Sequence, residues 1–174
     1  MIRLKLIRAA VAALAVTPLI PSNASADQVS GVITRTYVLV EDTDLTGDVI
    51  CDVVNSACFS FGAPGIQLRL NGFTITGKAN PITGCAGGRP APEFGITTNN
   101  QNNVQVRGPG LVQRFRNSGV FVTGSTGARV ADLTSSTNCG SGIHIAATSF
   151  ETIVEGNVTV RNGSTDTGAS CGGI

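Results

Sequence analysis

Basic clusters are missing from this chain, and so are a second hydrophobic run, helical periodicity and any set of histidines. Lysine occurs only at Lys5 and Lys78, and the single histidine is His144. Without clusters of cations, neither nucleic acid nor an anionic membrane surface is an expected partner. A lone histidine with no matched nucleophile is more often structural than catalytic. After residue 26 no apolar run approaches the length of a membrane span, so the mature chain is expected to be soluble, with no membrane insertion. Helical signals are nearly absent there; short Val, Ile, Leu and Thr runs between Gly, Asn, Ser and Asp read as strands and turns.

The one apolar run lies at the start. Arg3, Lys5 and Arg8 precede an apolar Ala9–Val16 stretch, Pro18 and Pro21 break it, and Ala24-Ser25-Ala26 is a small-x-small cleavage site. Residues 1–26 therefore read as a signal peptide and Asp27 as the mature start, which predicts a secreted protein, extracellular or periplasmic. Taking the three signal cations from 12 Lys+Arg leaves nine against 11 Asp+Glu, a weakly acidic chain. Five cysteines in an exported protein predict disulfides. Cys139 and Cys171 stand three and two residues before recurring glycines, which would stack them about 4.8 Å apart, and Cys51 and Cys58 would close a small loop. That leaves Cys85 free or bound outside the chain, though spacing alone does not decide the pairing.

What the chain does have is a phrase that recurs: Gly95-Ile96-Thr97-Thr98, Gly119-Val120-Phe121-Val122, Gly142-Ile143-His144-Ile145 and Gly173-Ile174. A period near 23 residues, read as a glycine turn followed by an apolar-x-apolar strand, marks a unit that buries its core only against its neighbours. Alternating runs such as Ile66–Leu70, Phe73–Thr76, Val104–Val106, Ala128–Val130 and Asn157–Val160 supply about three strands per period. The expected fold is all-β: a right-handed parallel β-helix, a three-sided solenoid of about four to five coils over residues 63–174. Residues 27–62 read as an N-terminal cap and first strands, and 77–92 and 163–171 as loops. No C-terminal cap is legible after Gly173-Ile174, so the coils look incomplete there and self-association through that end is an expectation.

Gly47–Cys51, Ile66–Gly77 and the Gly-Ile/Val-x-Ile/Val coils resemble secreted right-handed parallel β-helix repeat proteins, the pectin-lyase-like group. The resemblance covers about residues 32–174 and implies the fold; members of the group range from polysaccharide lyases and hydrolases to surface proteins without known activity.

Strand alternation turns Thr97, Phe121 and His144 outward in one row, a ligand-binding strip with Phe121 for sugar stacking. The resemblance implies a ligand groove on such a face. Asp132 and Glu155 are 23 residues apart and would stack as the carboxyl pair of a retaining glycosidase, whereas Asn138 and Asn162 suggest a local period of 24 that sets Asp132 against Gly156. Arg107, Arg114 and Arg116 are the only cations grouped closely enough to neutralise a uronate in a lyase, and surface charge beside the Gly108-Pro109-Gly110 turn is the other reading. Asp42, Asp44 and Asp48, with Thr46 and Gly47, begin like a calcium loop, but Val53 stands where the bidentate Glu belongs; a solvated turn is the other reading. Asn99–Asn103 reads as a turn joining an asparagine ladder, and Asn157 and Asn162 begin glycosylation sequons. The leading reading is a secreted scaffold with no identifiable active site, presenting an outer face to polysaccharide or to a surface protein. The alternative is a pectate-lyase-like or glycoside hydrolase enzyme on the same outer face.

Overall fold

The computed structural model describes residues 25–79, 85, 93–163 and 172–174. Among these residues every regular element is a strand, and every strand pairing is parallel. Residues 1–24 of the expected signal peptide and Cys171 lie outside the described residues, as does most of each expected loop.

Two sheets are formed. The ten-stranded sheet turns on the long β3 (Thr43–Cys51), with β1 (Asp27–Ile33) on one side of it. The first half of β3 pairs with β5 (Gln67–Arg69), and that arm continues through β8 (Gln105–Arg107) and β11 (Arg129–Ala131) to β14 (Ile153–Glu155). Its second half pairs with β6 (Thr74–Thr76), and this arm continues through β9 (Leu111–Gln113) and β12 (Thr134–Ser136) to β15 (Val158–Val160). The five-stranded sheet runs β2 (Tyr37–Leu39), β4 (Phe59–Phe61), β7 (Ile96–Thr97), β10 (Val120–Val122), β13 (Ile143–Ile145). Residues 27–62, expected to be a cap and first strands, thus supply members of both sheets.

Register explains the sequence pattern. Leu68, Val106, Val130 and Val154 are successive partners in one ladder, and the last three are 24 residues apart. In the five-stranded sheet Phe59, Ile96, Val120 and Ile143 form a matching inward column, all fully buried. Each such side chain contributes about 1.5–3 kcal/mol on burial, which is why these inward positions are apolar. The recurring glycines have a different cause from the expected turn. A Cβ on Gly119 would sit 2.9 Å from the Gly142 carbonyl oxygen, one on Gly142 would sit 2.9 Å from that of Gly173, and one on Gly95 would meet that of Gly119. Their role is close approach between repeats, not a left-handed backbone.

Asparagines hold the corners. Asn138 is fully buried; its Oδ1 accepts the Phe115 N–H (3.0 Å), and its Nδ2 donates to Asn162 Oδ1 (2.9 Å) and Ser135 Oγ (3.0 Å). Asn102 Oδ1 accepts the Thr126 N–H at 2.9 Å, so the Asn99–Asn103 run joins repeats as expected. Asn157 and Asn162 spend both ends of their amides on Leu133, Val130, Asn138 and Ser135, so neither sequon presents a free amide.

Two disulfides link the chain. Cys51–Cys58 (Cα–Cα 5.8 Å) closes the expected small loop. Cys139 is bonded to Cys85 (Cα–Cα 5.5 Å), not to Cys171, and Cys85 is not free. Cys85 comes from an insertion between β6 and β7, outside the strand register in which Cys139 and Cys171 would stack. Closing 54 residues of chain, this bridge is worth about 4 kcal/mol in the chain-entropy model.

Removing the Asn138 amide leaves the Phe115 N–H buried without an acceptor. Asn138→Ala should cost about 2 kcal/mol, read as a lower midpoint in urea unfolding at unchanged slope. At the other end, the Tyr37 hydroxyl donates to the Asp27 carboxylate, and that bond, with burial and the nearby charges of Asp27 and Glu41, pushes its pKa up to about 12. An unfolded tyrosine ionises near 10, so this contribution to stability is complete below pH 10 and is lost as pH rises through 12. Tyr37 is the sole tyrosine and tryptophan is absent. Phenolate absorbance should therefore titrate near 12 in the native protein and move toward 10 in Asp27→Ala.

Candidate functional site

The outward row exists. Val38, Ser60, Thr97, Phe121 and His144 are matched partners across the five-stranded sheet. Phe121 is tilted at 55° to His144, ring centroids 5.0 Å apart. On its other side Phe94 stacks on it, 4.3 Å and 19° from parallel. A groove of about 290 Å³ opens over this row. Ser60, Thr97 and Phe121 form its floor. Thr36, Ser56, Ala57 and Phe94, which lead into the strands, make one wall, and Asn99 and Thr123, which follow the strands, make the other. Every lining side chain is uncharged.

The walls are held from behind. Thr36 Oγ1 donates to the Ala57 carbonyl (2.7 Å) and is bonded to the Ser56 hydroxyl. Glu93, 5% exposed, accepts the Asn55 N–H at 2.9 Å and pairs with Arg116 at 3.3 Å. It thereby fixes the loop that the Cys51–Cys58 bridge closes and seats its neighbour Phe94. On the floor, Thr97 Oγ1 accepts the Asn99 N–H (3.3 Å), which leaves the hydroxyl proton to be donated outward. The result is an uncharged groove of aromatic, hydroxyl and amide groups, with buried Phe94 stacked on the partly exposed Phe121.

Sequence reasoning had named Thr97, Phe121 and His144 and missed Phe94, Ser60 and Asn99. Ser60 sits in Phe59-Ser60-Phe61, the same apolar-x-apolar phrase without the preceding glycine. Phe94 carried no signal, because it follows an insertion that breaks the period.

The other expected sites are not assembled. Ala131, not Asp132, is the partner of Glu155; Asp132 is a corner residue with φ 60° set against Gly156, so the 24-residue register holds. Glu155 is ion-paired with Arg129. Arg107 stands in the row between Arg69 and Ala131, whereas Arg114 and Arg116 lie in the turn after β9, with Arg116 committed to Glu93. Asp44 and Asp48 stand in β3, with Asp42 just before it. Arg69 bridges Asp42 (3.0 Å) and Asp44 (2.9 Å), Gln67 Nε2 donates to Asp42 (2.8 Å), and Asp48 accepts the Thr74 N–H (2.8 Å). The hydrogen bond to Asp44, foremost, holds the Arg69 pKa above its usual value. Among the described residues no group of His, Cys, Asp and Glu is arranged to hold a metal ion. Asp42 and Asp44 are thus ion-paired with Arg69, and Asp48 is bonded to the main chain of β6.

Compared with protein-family models, curated proteins and solved structures, the chain matches none.

Arg69→Gln unpairs both aspartates. These pairs are partly exposed and screened by salt, so the loss should be about 1 kcal/mol and smaller at high ionic strength. Calcium should leave the melting temperature of the wild-type chain unchanged, as thermal unfolding with and without the ion will show.

Proposed function

We propose that the chain is an exported right-handed parallel β-helix of the pectin-lyase-like kind that binds a neutral polysaccharide in the groove over Thr97 and Phe121. Parallel pairing along three ladders, in steps of 22–26 residues with one insertion lengthening a step to 37–38 in each, supports the winding, with the two arms of β3 and the five-stranded sheet as its three sides. The basic-apolar-small pattern of residues 1–26 and the two disulfides support export to an oxidising compartment.

One observation carries the ligand reading: a stacked Phe94–Phe121 pair in a groove whose lining has no charge. A polyuronate would bury carboxylates there without a cation, which costs more than hydroxyl contacts return. A neutral glycan meets no such penalty. The reading is of binding, since Glu155 is paired with Arg129, Arg116 with Glu93, and Asp132 is not brought opposite Glu155.

Titration of the purified chain with neutral and uronic oligosaccharides tests this. Neutral chains should bind and saturate, uronic ones should not, and Phe121→Ala should weaken binding tenfold or more, as removal of a central aromatic does. Preference for uronic chains, or binding indifferent to Phe121→Ala, would sink the proposal.

A further inference from the structure

Eight polar or charged residues are buried among the described residues, and seven of them have a partner within the chain. Thr43 Oγ1 donates to the Glu41 carbonyl, Glu93 holds Asn55 and Arg116, and Ser125 Oγ donates to Thr98 Oγ1. Ser118 Oγ donates to Asn117, Ser135 Oγ donates to the Gly142 carbonyl, and the Asn138 amide joins Phe115, Ser135 and Asn162. The eighth is Ser60. It is 9% exposed, and its hydroxyl makes no hydrogen bond to any described residue. A buried hydroxyl without a partner is a net loss to a fold. The unpartnered atoms elsewhere, Arg129 Nε, Ser149 Oγ and Thr152 Oγ1, belong to residues outside the groove.

The fold gives no reason for a serine at this place. β4 lies inside the five-stranded sheet, paired with β2 on one side and β7 on the other, and Phe59 and Phe61 are fully buried. Alternation turns Ser60, between them, outward onto the floor of the groove. Its partners in the row are Val38 and Thr97, and either residue type suits a strand better than serine does.

The groups around Ser60 are occupied. Thr36 Oγ1 donates to the Ala57 carbonyl, so in its bond with Ser56 the proton comes from Ser56, and both protons of that wall are spent. Asn99 gives its N–H to Thr97 Oγ1 and its Nδ2 to the Phe61 carbonyl. Thr97 therefore has a proton to give, whereas Ser60 has both a proton and free lone pairs. The two are partners on adjacent strands, about 4.8 Å apart. That is less than the span of two hydrogen bonds of about 2.8 Å each, so one ligand oxygen can reach both. An oxygen that accepts from Thr97 and donates to Ser60 is a hydroxyl. An ether or a carboxylate lacks the proton.

We propose that Ser60 sets the specificity of the groove: with Thr97 it takes one free hydroxyl of a sugar that lies against Phe121. The inference rests on the glycan reading and adds to it a required group, a sugar hydroxyl left open by the linkages at the position over β4 and β7. Without that hydroxyl the Ser60 side chain stays buried and unbonded, which is how a site of this kind rejects an analogue lacking the group.

Two measurements on the disulfide-bonded chain test this together. Titration calorimetry with gluco-, manno-, galacto- and xylo-oligosaccharides should find Ser60→Ala about threefold to tenfold weaker in affinity than wild type. Thr97→Val should lose a similar amount. The double variant should lose no more than about one of them, because both residues hold the same hydroxyl. Urea unfolding without sugar should place Ser60→Ala at or above the wild-type midpoint, since this hydroxyl has no bond inside the fold to lose. Ser135→Ala, which loses its bonds to Gly142 and Asn138, should fall below it. A lowered midpoint for Ser60→Ala makes the residue structural and overturns the inference, whatever the sugars do. Binding that Phe121→Ala weakens and Ser60→Ala leaves untouched overturns it too, as do losses at Ser60 and Thr97 that simply add; either result leaves the glycan reading in place. If no neutral sugar binds while Ser60→Ala is as stable as wild type, the glycan reading is what fails, and the anchor falls with it.

Discussion

Parallel, in-register pairing between strands one period apart is the constraint from which the other features follow. It puts equivalent residues of successive repeats into columns separated by a strand spacing of about 4.8 Å. A residue type that is costly once is costly at every level of its column. Inward columns are therefore apolar, as in Phe59, Ile96, Val120 and Ile143. Where main chains press closest the column admits only glycine, as at Gly95, Gly119 and Gly142, each facing the carbonyl of the next.

The same constraint governs the few charges. Corners need hydrogen-bonding groups that repeat, and asparagine amides meet that need through Asn102, Asn138, Asn157 and Asn162 without a charge to neutralise. Several acids and bases pair across neighbouring repeats or strands: Arg69 with Asp42 and Asp44, Arg129 with Glu155, Lys78 with Asp52, and buried Glu93 with Arg116. Charge consumed in this way is not available for acid–base work, and the groove over the five-stranded sheet is left to aromatic, hydroxyl and amide groups.

That groove depends on a departure from the period. The insertion between β6 and β7 delivers Glu93 and Phe94 to the sheet: one pins the disulfide-closed loop on the rim, the other stacks on Phe121. The region of proposed function thus lies where the repeat is interrupted, since a strict repeat is occupied with holding itself together.

Period, alternation and composition were enough to read an all-β chain, the inward columns, the outward Thr97–Phe121–His144 row and the Cys51–Cys58 loop, because each rests on local spacing. Alignments across repeats were not legible to the same degree. A one-residue difference between periods of 23 and 24 decides whether Asp132 meets Glu155 or Gly156, and the averaged spacing of glycines does not resolve it. Nor does spacing show which cysteine an insertion brings to Cys139, or that Phe94 returns to Phe121, or that Arg69 has reached the two aspartates first. Those are contacts between segments distant in the chain. They are settled by where the whole stack places its corners, a property of the assembled main-chain ladder and not of any one stretch of residues.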